Sequence, residues 1–497
     1  MNLYFKGHNY KYAVEQMLLT MFPEQRPEYP AGKPSGDRME ISLSSARRYT
    51  TASCAFYSWG ELYRGRAAAH IPEDAEELAA DRSRQRLIKN AMYRAALASG
   101  REKPVWGALT GVRPGKLMAS LLRSGMTERQ ALKSFIAEYD VSPERARLCL
   151  NTSRETLKAM EVLGREDICL YVGIPFCPTR CSYCSFVSQS VERNMKLIEP
   201  FLQALRLELS AIAAQVKSLG LKIAAVYIGG GTPTTLSAAQ LERLCGWLEE
   251  DFDLAHIREY TVEAGRPDTI TVEKLRVLRR HGVDRLSVNP QTMNDQVLEL
   301  IGRRHTAADI VSALDIVRRV GGFAVNMDLI AGLPGDSPRQ FEDSLARVLA
   351  LEPENITVHT LSLKKGSRIT LEGSPLPSAA QVGQMLDAAG TRLQARGYAP
   401  YYLYRQKFMS GGFENLGWTK PGYVNLYNIC IMEELCSIVA AGGGGSTKLI
   451  CPGEGRNIRL MAPKYPQEYI GNIDRTCGDK IKIGEFYRDC AVCSEGI

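Results

Sequence analysis

The amino-acid sequence predicts an α/β protein whose largest part is an incomplete parallel (β/α)6 barrel. From about Asp167 onward, short runs rich in β-branched residues alternate with stretches that have the apolar spacing of helices. This alternation is typical of βαβ units and a parallel sheet. Motifs whose residues are suited to binding or catalysis follow the predicted strands. This is expected where a site forms at the carboxyl ends of parallel strands.

The length of 497 residues favours about three regions. We predict a mainly helical N-terminal domain over residues 1–160, the barrel over residues 165–370, and a small α+β C-terminal region over residues 371–497 that covers the barrel. In the first of these, helical spacing covers Ala75–Ser99 and Thr127–Tyr139.

The barrel region contains six predicted strands. They are Ile168–Ile174, Ala224–Ile228, Tyr260–Glu263, Arg285–Val288, Val325–Ile330 and Ile356–Leu361. Helical patterns lie between and after them, at 196–217, 237–250, 271–281, 294–320 and 338–351. A further helix, Ser378–Ala395, and a strand, Tyr401–Tyr404, are predicted to open the C-terminal region.

Composition and charge exclude several classes of protein. Hydrophobic residues make up 45% and charged residues 24%, as in a folded globular chain. The net charge of +7 is mild and spread along the sequence, so we expect no nucleic-acid partner. Apolar runs are too short for a membrane span, and no secretory pattern opens the chain, so a cytoplasmic location is expected. The odd number of cysteines, 13, then favours free thiols and a metal site over a disulfide framework.

Three of those cysteines, Cys177, Cys181 and Cys184, fall within eight residues directly after the first predicted strand. Iron–sulfur clusters bind cysteine thiolates, normally four for a 4Fe–4S centre. Three ligands would leave one iron open to bind a reactant. A zinc site is the alternative, but it needs a fourth ligand and the loop contains none.

Other chemically suited residues end the next strands. The run Gly229–Thr234 follows the second strand, where glycines let the backbone approach a ligand closely. Glu263 ends the third strand and Gln291 follows the fourth. Asp328 lies inside an apolar run of the fifth strand, where a charge must be paired or functional.

The CxxxCxxC spacing after a strand resembles the radical S-adenosylmethionine (SAM) superfamily. Together, the strings YVGIPFC, GGGTPT, VEAGRPD, RLSVNPQ, GRRH and MDLIAGLPGD resemble the oxygen-independent coproporphyrinogen III dehydrogenase (oxidase) family, whose relatives include heme chaperones and heme-modifying methyltransferases. GHNYKY and LTGVRPGKL in the first 160 residues resemble its HemZ-like branch. The resemblance implies a radical SAM barrel, a 4Fe–4S cluster on the three cysteines, and SAM bound at the open iron.

Residue roles carried over from this resemblance concern one or two molecules of SAM. Tyr171, Gly230 and Glu263 match positions that hold the cluster-bound SAM. The dehydrogenases bind a second SAM, and its matching positions here are Tyr183, Gly231, Thr232, Gln291, Arg303 and Asp328. The resemblance also implies a tetrapyrrole substrate and an electron donor of the reduced flavodoxin or ferredoxin type. It assigns no catalytic residue beyond the cluster.

Two departures from the family pattern leave the reaction open. The dehydrogenases read CxxxCxxCxC, and here the last position is Phe186, as in the chaperone-like relatives. The chaperones carry a heme-ligating His in an HNxxYW stretch, and the counterpart here, Val424–Asn428, has none. The leading hypothesis is oxidative decarboxylation of coproporphyrinogen III to protoporphyrinogen IX. The alternatives are a heme-binding chaperone-like protein and a radical SAM tetrapyrrole methyltransferase.

A few remaining residues have two possible readings. His359 ends the sixth strand and faces either the substrate pocket or the core, and His305 is expected to support Arg303. The substrate carries four carboxylates, so a basic rim is expected, with Arg266, Arg285 and Arg405 as candidates. Cys490 and Cys493 are either a metal or redox pair or part of a frayed tail. Several other cysteines are expected in the core: Cys54, Cys149, Cys245, Cys430 and Cys436.

Overall fold

The computed structural model describes residues 1–32, 35–46, 49–184, 189–190, 194–362, 375–406, 410–451 and 456–494. The chain divides into two compact units, Met1–Leu150 and Asn151–Ile497. Within the described ranges, no helix has the length and apolar character needed to cross a lipid bilayer.

The first unit combines helices with a four-stranded sheet. Its strands are β1 (Asn2–Lys6), β2 (Arg38–Ala46), β3 (Tyr49–Ser58) and β4 (Glu61–His70). Its helices are α1 (Lys11–Met21), α2 (Glu77–Ala98), α3 (Pro114–Arg123) and α4 (Glu128–Tyr139), and α5 (Pro143–Val162) begins at its end. Strands β1 and β2 are parallel, and β2, β3 and β4 form an antiparallel meander. The two long predicted helices are present, whereas the sheet was not predicted.

The second unit contains the remaining elements. Its strands are β5 (Asp167–Ile174), β6 (Phe176–Cys177), β7 (Gln189–Ser190), β8 (Lys222–Gly230), β9 (Glu259–Glu263), β10 (Arg285–Ser287), β11 (Ala324–Ala331), β12 (Asn355–Thr360), β13 (Ala399–Tyr404), β14 (Asn415–Thr419), β15 (Ser437–Gly442), β16 (Ser446–Ile450) and β17 (Asn457–Met461). Its helices are α6 (Ile198–Ser218), α7 (Ala238–Asp251), α8 (Val272–Arg280), α9 (Asp295–Leu300), α10 (Ala307–Val320), α11 (Pro338–Ala350), α12 (Ala379–Ala395), α13 (Leu426–Glu433), α14 (Pro466–Gly471), α15 (Ile473–Gly478) and α16 (Ile481–Ser494).

An eleven-stranded sheet organises this unit, in the order β13-β14-β12-β11-β10-β9-β8-β5-β15-β16-β17. Strands β5 and β8 to β12 are the six predicted strands, and each is parallel to its neighbours within that set. The predicted α/β class with a parallel barrel-type sheet is therefore confirmed. One strand of the C-terminal region, β15, adds a seventh parallel strand on the far side of β5.

The helices between the parallel strands begin at local signals in the sequence. Ser237, Thr306 and Ser378 each cap a helix through a reciprocal capping box. Pro338 occupies the first turn of α11, where the missing N–H costs nothing. Because these starts are fixed locally, each strand delivers its carboxyl end to the same edge of the sheet.

The face of the sheet that carries Tyr171, Tyr227 and Glu263 is called the inner face below. Tyr171 and Tyr227 are register partners on β5 and β8, so they lie side by side. Helix α13 packs on this face, and its Tyr427 stacks on Tyr227 with a 4.4 Å centroid separation. The C-terminal region thus fills part of the inner face below the carboxyl ends of the strands.

Candidate active site

The loop that carries Cys177, Cys181 and Cys184, called the cysteine loop below, follows β5. It is hydrogen-bonded to the glycine-rich turn at the end of β8. The N–H of Gly231 donates to the carbonyl of Ile174 at 2.8 Å, and the N–H of Thr232 donates to the carbonyl of Phe176 at 2.7 Å. The Thr232 hydroxyl lies 3.4 Å from the Cys177 sulfur and donates to it. Two loops that are distant in sequence therefore form one ligand-binding surface.

Gly231 makes this contact possible because it has no side chain. A Cβ atom at position 231 would lie 2.5 Å from the Phe176 carbonyl oxygen and 3.0 Å from the Cys177 sulfur. Its neighbour Gly230 has φ of 109°, a conformation that other residues rarely adopt. The turn therefore requires glycine at both positions for the backbone to approach the cysteine loop.

The other side of the cysteine loop contacts the buried cation Arg266. Its Nη1 donates to the Thr179 hydroxyl at 3.0 Å and lies 3.9 Å from the Cys181 sulfur. Arg266 is 3% exposed, and its Nη2 has no hydrogen-bond partner among the residues that the structure describes. This donor therefore remains available to a bound group.

Arg303 and Tyr183 form the next part of the site. Arg303 Nη2 donates to the Tyr183 hydroxyl at 3.1 Å, and Nη1 donates to the carbonyl of Asn289 at 2.7 Å. Burial lowers the pKa of Arg303, but the interactions with the neighbouring Tyr183 and Cys181 outweigh burial and raise it. The guanidinium is therefore a fixed positive charge close to the cysteine loop.

His305 lies near both arginines. Burial, followed by the charges of Arg303 and Arg266, lowers its pKa to about 3, so the imidazole is neutral at physiological pH. Neither ring nitrogen has a hydrogen-bond partner in the described part of the chain. Hydrogen-bonded support of Arg303 by His305, as expected from sequence, is therefore absent from the described contacts.

Glu263 lies on the inner face at the end of β9, next to the tyrosines. The Tyr227 hydroxyl donates to Glu263 Oε1 at 2.7 Å. Burial raises the pKa of Glu263 to about 7, although the hydrogen bonds from Tyr227 and the Gly230 N–H act in the opposite direction. Near neutral pH this carboxyl group can therefore exist in both protonation states.

Asp328 and Gln291 meet at the carboxyl end of the sheet. The N–H of Gln291 donates to the carbonyl of Asp328 at 2.8 Å, and Gln291 has a left-handed backbone with φ of 68°. Asn326 donates to Asp328 Oδ1 at 2.8 Å, and His359 Nε2 lies 3.6 Å from Oδ2. Burial would raise the pKa of Asp328, but His359 and then Asn326 outweigh it and lower the pKa. Asp328 is therefore ionised.

The donor set fits an iron–sulfur cluster with an open iron. Cys177, Cys181 and Cys184 are partly exposed cysteines on a single loop, and thiolates are the ligands such clusters use. Unpartnered buried donors surround them: Ser182 Oγ, Arg266 Nη2 and Arg303 Nε lack hydrogen-bond partners among the described residues. A polar anionic group beside the loop would satisfy these donors.

Several residues that were considered from sequence lie elsewhere. Arg285 sits at the amino end of β10, where it donates to the carbonyls of Tyr423 and Val424, so it does not form part of a substrate rim. Arg405 donates to the carbonyl of Gly412 at 2.9 Å. Phe186 and the side chain of Cys493 lie outside the described residues.

Sequence reasoning missed two contributors to the site, Tyr227 and Tyr427. Arg266 was considered only as a rim residue, yet it contacts the cysteine loop directly. Tyr227 holds Glu263, and Tyr427 stacks on Tyr227 from a helix 200 residues later in the chain. Tyr227 could have been found from the sequence, because it precedes Gly229 by two residues on the same strand and so lies on the same face of the sheet. Tyr427 gave no such signal.

Comparisons with known proteins find one matching family model and several relatives. The radical SAM superfamily model matches residues 171–348. The oxygen-independent coproporphyrinogen-III oxidase-like protein HemZ of Bacillus subtilis (strain 168) is 39% identical over 385 residues, which are 76% of this chain and 77% of that protein. The heme chaperone HemW of the same organism is 32% identical over 250 residues, which are 49% of this chain and 64% of that protein.

Among solved structures, the coproporphyrinogen III oxidase HemN from Escherichia coli has a TM-score of 0.52 with 24% identity. The match covers 65% of this chain and 72% of that chain. At this identity the likeness shows a shared fold, and it agrees with the parallel sheet described above.

Proposed function

The chain belongs to the radical SAM superfamily and, within it, to the family of oxygen-independent coproporphyrinogen-III oxidase-like proteins, and on this basis we propose that it decarboxylates coproporphyrinogen III oxidatively. Two propionate side chains would become the vinyl groups of protoporphyrinogen IX. The observation that carries the proposal is the cysteine loop, enclosed by the glycine turn, Arg266 and the Arg303–Tyr183 pair.

The chain's own residues have defined tasks in this reaction. When bound, the cluster and SAM supply a carbon-centred radical for hydrogen abstraction. Cys177, Cys181 and Cys184 would each bind one iron of the cluster and leave the fourth iron open. Tyr171 and Gly230 would border the SAM bound there, and ionised Glu263 would accept hydrogen bonds from its ribose hydroxyls. For each propionate, one β-hydrogen and carbon dioxide leave, and one electron passes to an external acceptor.

We further propose that a second SAM binds beside the first. Arg303 and ionised Asp328 suit the carboxylate and the ammonium of its amino-acid moiety. Tyr183, Gly231, Thr232 and Gln291 complete this site. The fixed charge of Arg303 and the lowered pKa of Asp328 support the assignment, because both groups carry the required charge at neutral pH.

Heme delivery, the first alternative, has less support than decarboxylation, and the reason lies in the stretch 424–428. This stretch contains no His, and Asn425, at the position of the chaperone motif's Asn, is 4% exposed. Its side chain accepts from the N–H of Asn428 and donates to the Thr261 hydroxyl, so it caps α13 inside the protein. A heme would find no histidine ligand in this stretch.

Turnover of the tetrapyrrole tests the proposal directly. Anaerobic protein with a reconstituted cluster is incubated with SAM, coproporphyrinogen III and either dithionite or reduced flavodoxin, and the oxidised porphyrins are separated by chromatography. We expect protoporphyrin together with 5′-deoxyadenosine. S-adenosylhomocysteine in its place would instead identify a methyltransferase, and retention of heme without SAM cleavage would identify a chaperone.

Equilibrium dialysis tests the second SAM. We expect two SAM molecules per wild-type chain and one for Arg303→Ala or Asp328→Ala. Each change leaves a charged group of the ligand unmatched in a buried site, at a cost of several kcal/mol. The exposed neighbour Arg304 provides the control, since Arg304→Ala should keep two. A wild-type value of one would contradict the two-SAM proposal and leave Arg303 to a substrate carboxylate.

A further inference from the structure

Three buried cysteines outside the cysteine loop converge at one point on the inner face. They are Cys169 of β5, Cys430 of α13 and Cys436, which directly precedes β15. Their sulfur atoms all lie within 4.8 Å of one another, and those of Cys169 and Cys436 are 3.6 Å apart. All three are at most 5% exposed. We call these residues the buried thiol triad.

The spacing suits one shared ion better than other sulfur chemistry. With metal–sulfur bonds of about 2.3 Å, two thiolates on a tetrahedral ion lie about 3.8 Å apart. A disulfide requires about 2.0 Å between the sulfur atoms. Ligands of an iron–sulfur cluster bind different iron atoms, so their sulfurs are held farther apart than those on one ion. The 3.6 Å contact between Cys169 and Cys436 is close to the single-ion value.

The surroundings of the triad are apolar. Ala225, Tyr427 and Ile438 belong to the same buried cluster. The nearby carboxylates of Asp167 and Glu259 are already engaged: Asp167 accepts from the Gly164 N–H at 2.8 Å and Glu259 from the Leu426 N–H at 2.6 Å. Among the described residues, the metal-binding group therefore consists of sulfur donors alone. Soft sulfur donors in a dry site select thiophilic cations.

We propose that Cys169, Cys430 and Cys436 bind one thiophilic cation with a filled d shell, Cu⁺ or Zn²⁺, through three sulfurs. Three sulfur donors are the complete shell of trigonal Cu⁺, whereas Zn²⁺ neutralises more of the thiolate charge but needs a fourth donor. The bound ion would tie α13 and β15 to β5. Cys169 precedes Tyr171 by two residues on the same face, so this site lies below the tyrosines and apart from Cys177.

A full-length chain in which Cys177, Cys181 and Cys184 are replaced by Ala removes the competing cysteine loop. Under anaerobic conditions this protein is titrated with Cu⁺ against a Cu⁺-specific chelator and, separately, with Zn²⁺ against a zinc-binding dye. We expect one equivalent of the preferred ion per chain, and X-ray absorption should show three sulfur neighbours. The arm with the tighter binding identifies the ion.

Matched serine variants in the same background locate the site. Cys430→Ser should weaken binding at least a hundredfold, whereas Cys245→Ser, at a buried cysteine outside the triad, should leave it unchanged. Circular dichroism checks that each variant folds. As a measurement without substitution in the triad, peptide mapping should show that all three thiols are alkylated more slowly in moderate urea with the ion bound than without it, since burial alone already protects them in the native state. Failure to bind either ion, retention of the ion in folded Cys430→Ser, or a Cys169–Cys436 disulfide in freshly prepared anaerobic protein would overturn the proposal.

Discussion

Glu263 is a carboxyl group held near its ionisation midpoint. It ends β9, accepts from the Tyr227 hydroxyl at 2.7 Å, and lies against the glycine turn that approaches the cysteine loop. Burial raises its pKa to about 7. Its ability to accept two hydrogen bonds from a ribose therefore changes within the physiological pH range.

This placement predicts pH-dependent binding of SAM. As pH rises from 6 to 8, Glu263 passes from mainly protonated to mainly ionised, so SAM should bind roughly tenfold tighter. Glu263→Gln should weaken binding at pH 8 by roughly 1.5–3 kcal/mol, since a charged acceptor is lost. Calorimetric titration at pH 6, 7 and 8 measures both effects.

The Glu263→Gln variant also serves as the control. Ionisation of SAM itself affects both proteins equally, so only the difference between their pH profiles reports on Glu263. Parallel profiles would assign Glu263 to a role outside the SAM site.

Some residues of the candidate site could be singled out from the sequence, and others could not. The cluster cysteines, Glu263 and Gln291 were singled out because each follows or ends a recognisable strand, and Asp328 because its charge lies inside an apolar strand. The buried thiol triad was not found as a group, although Cys430 and Cys436 were correctly expected in the core. Cys169 and Cys436 are separated by 267 residues, and no local pattern indicates that such distant positions meet.

Among the elements, α6 is joined to the C-terminal region through the buried side chain of Glu208. Glu208 is 0% exposed, forms an ion pair with Lys480 at 2.7 Å, and accepts from the Gly442 N–H at 2.7 Å. The Tyr469 hydroxyl also donates to it. Lys480 in turn donates to the carbonyl of Ala440 at 2.9 Å. One carboxylate thus connects α6, β15, α14 and the short link between α15 and α16.

Removing the cation from this group should destabilise the protein strongly. Lys480→Met leaves the Glu208 charge buried and unpaired, so the free energy of unfolding should fall by about 3–5 kcal/mol. Lys482→Met breaks only an exposed pair with Asp479 and should cost about 0–1 kcal/mol. Urea unfolding followed by circular dichroism compares the two. Equal losses in the two variants would show that the buried Glu208–Lys480 pair contributes no more to stability than the exposed pair.

The elements themselves were predicted best where helices and strands alternate strictly. All six parallel strands appear within one to two residues of their expected starts, because apolar runs between capped helices define them. Strand β3 was missed because Ser, Thr and Ala make up most of it, and such residues give weak alternation of polarity. Strand β2 was missed although Met39, Ile41 and Leu43 alternate with polar residues, which is a signal of a strand. Strand β15 was missed because its sequence, SIVAAG, is equally apolar on both faces.

Considered as a whole, the second unit builds its sheet from two parts of the chain. The six parallel strands come from 167–360, whereas the strands that extend the sheet at both ends come from 399–461. Both parts of the chain contribute to the inner face: Tyr171 and Tyr227 lie on strands of the first part, and Tyr427 lies on helix α13 of the second and stacks on both. A boundary near residue 370 therefore describes the order of the chain better than it describes the packing of the sheet.

The pairing of β15 with β5 has a consequence for synthesis of the protein. Ser437 pairs with Ile168 and Gly442 with Gly173, so the strand that leads into the cysteine loop has a neighbour made some 269 residues later. While the ribosome translates the intervening chain, one edge of β5 has no partner, and unpaired strand edges invite intermolecular pairing. Contacts so distant in sequence also form slowly. Until β15 is made, the unpaired edge of β5 is therefore a place where the nascent chain is exposed to wrong pairing.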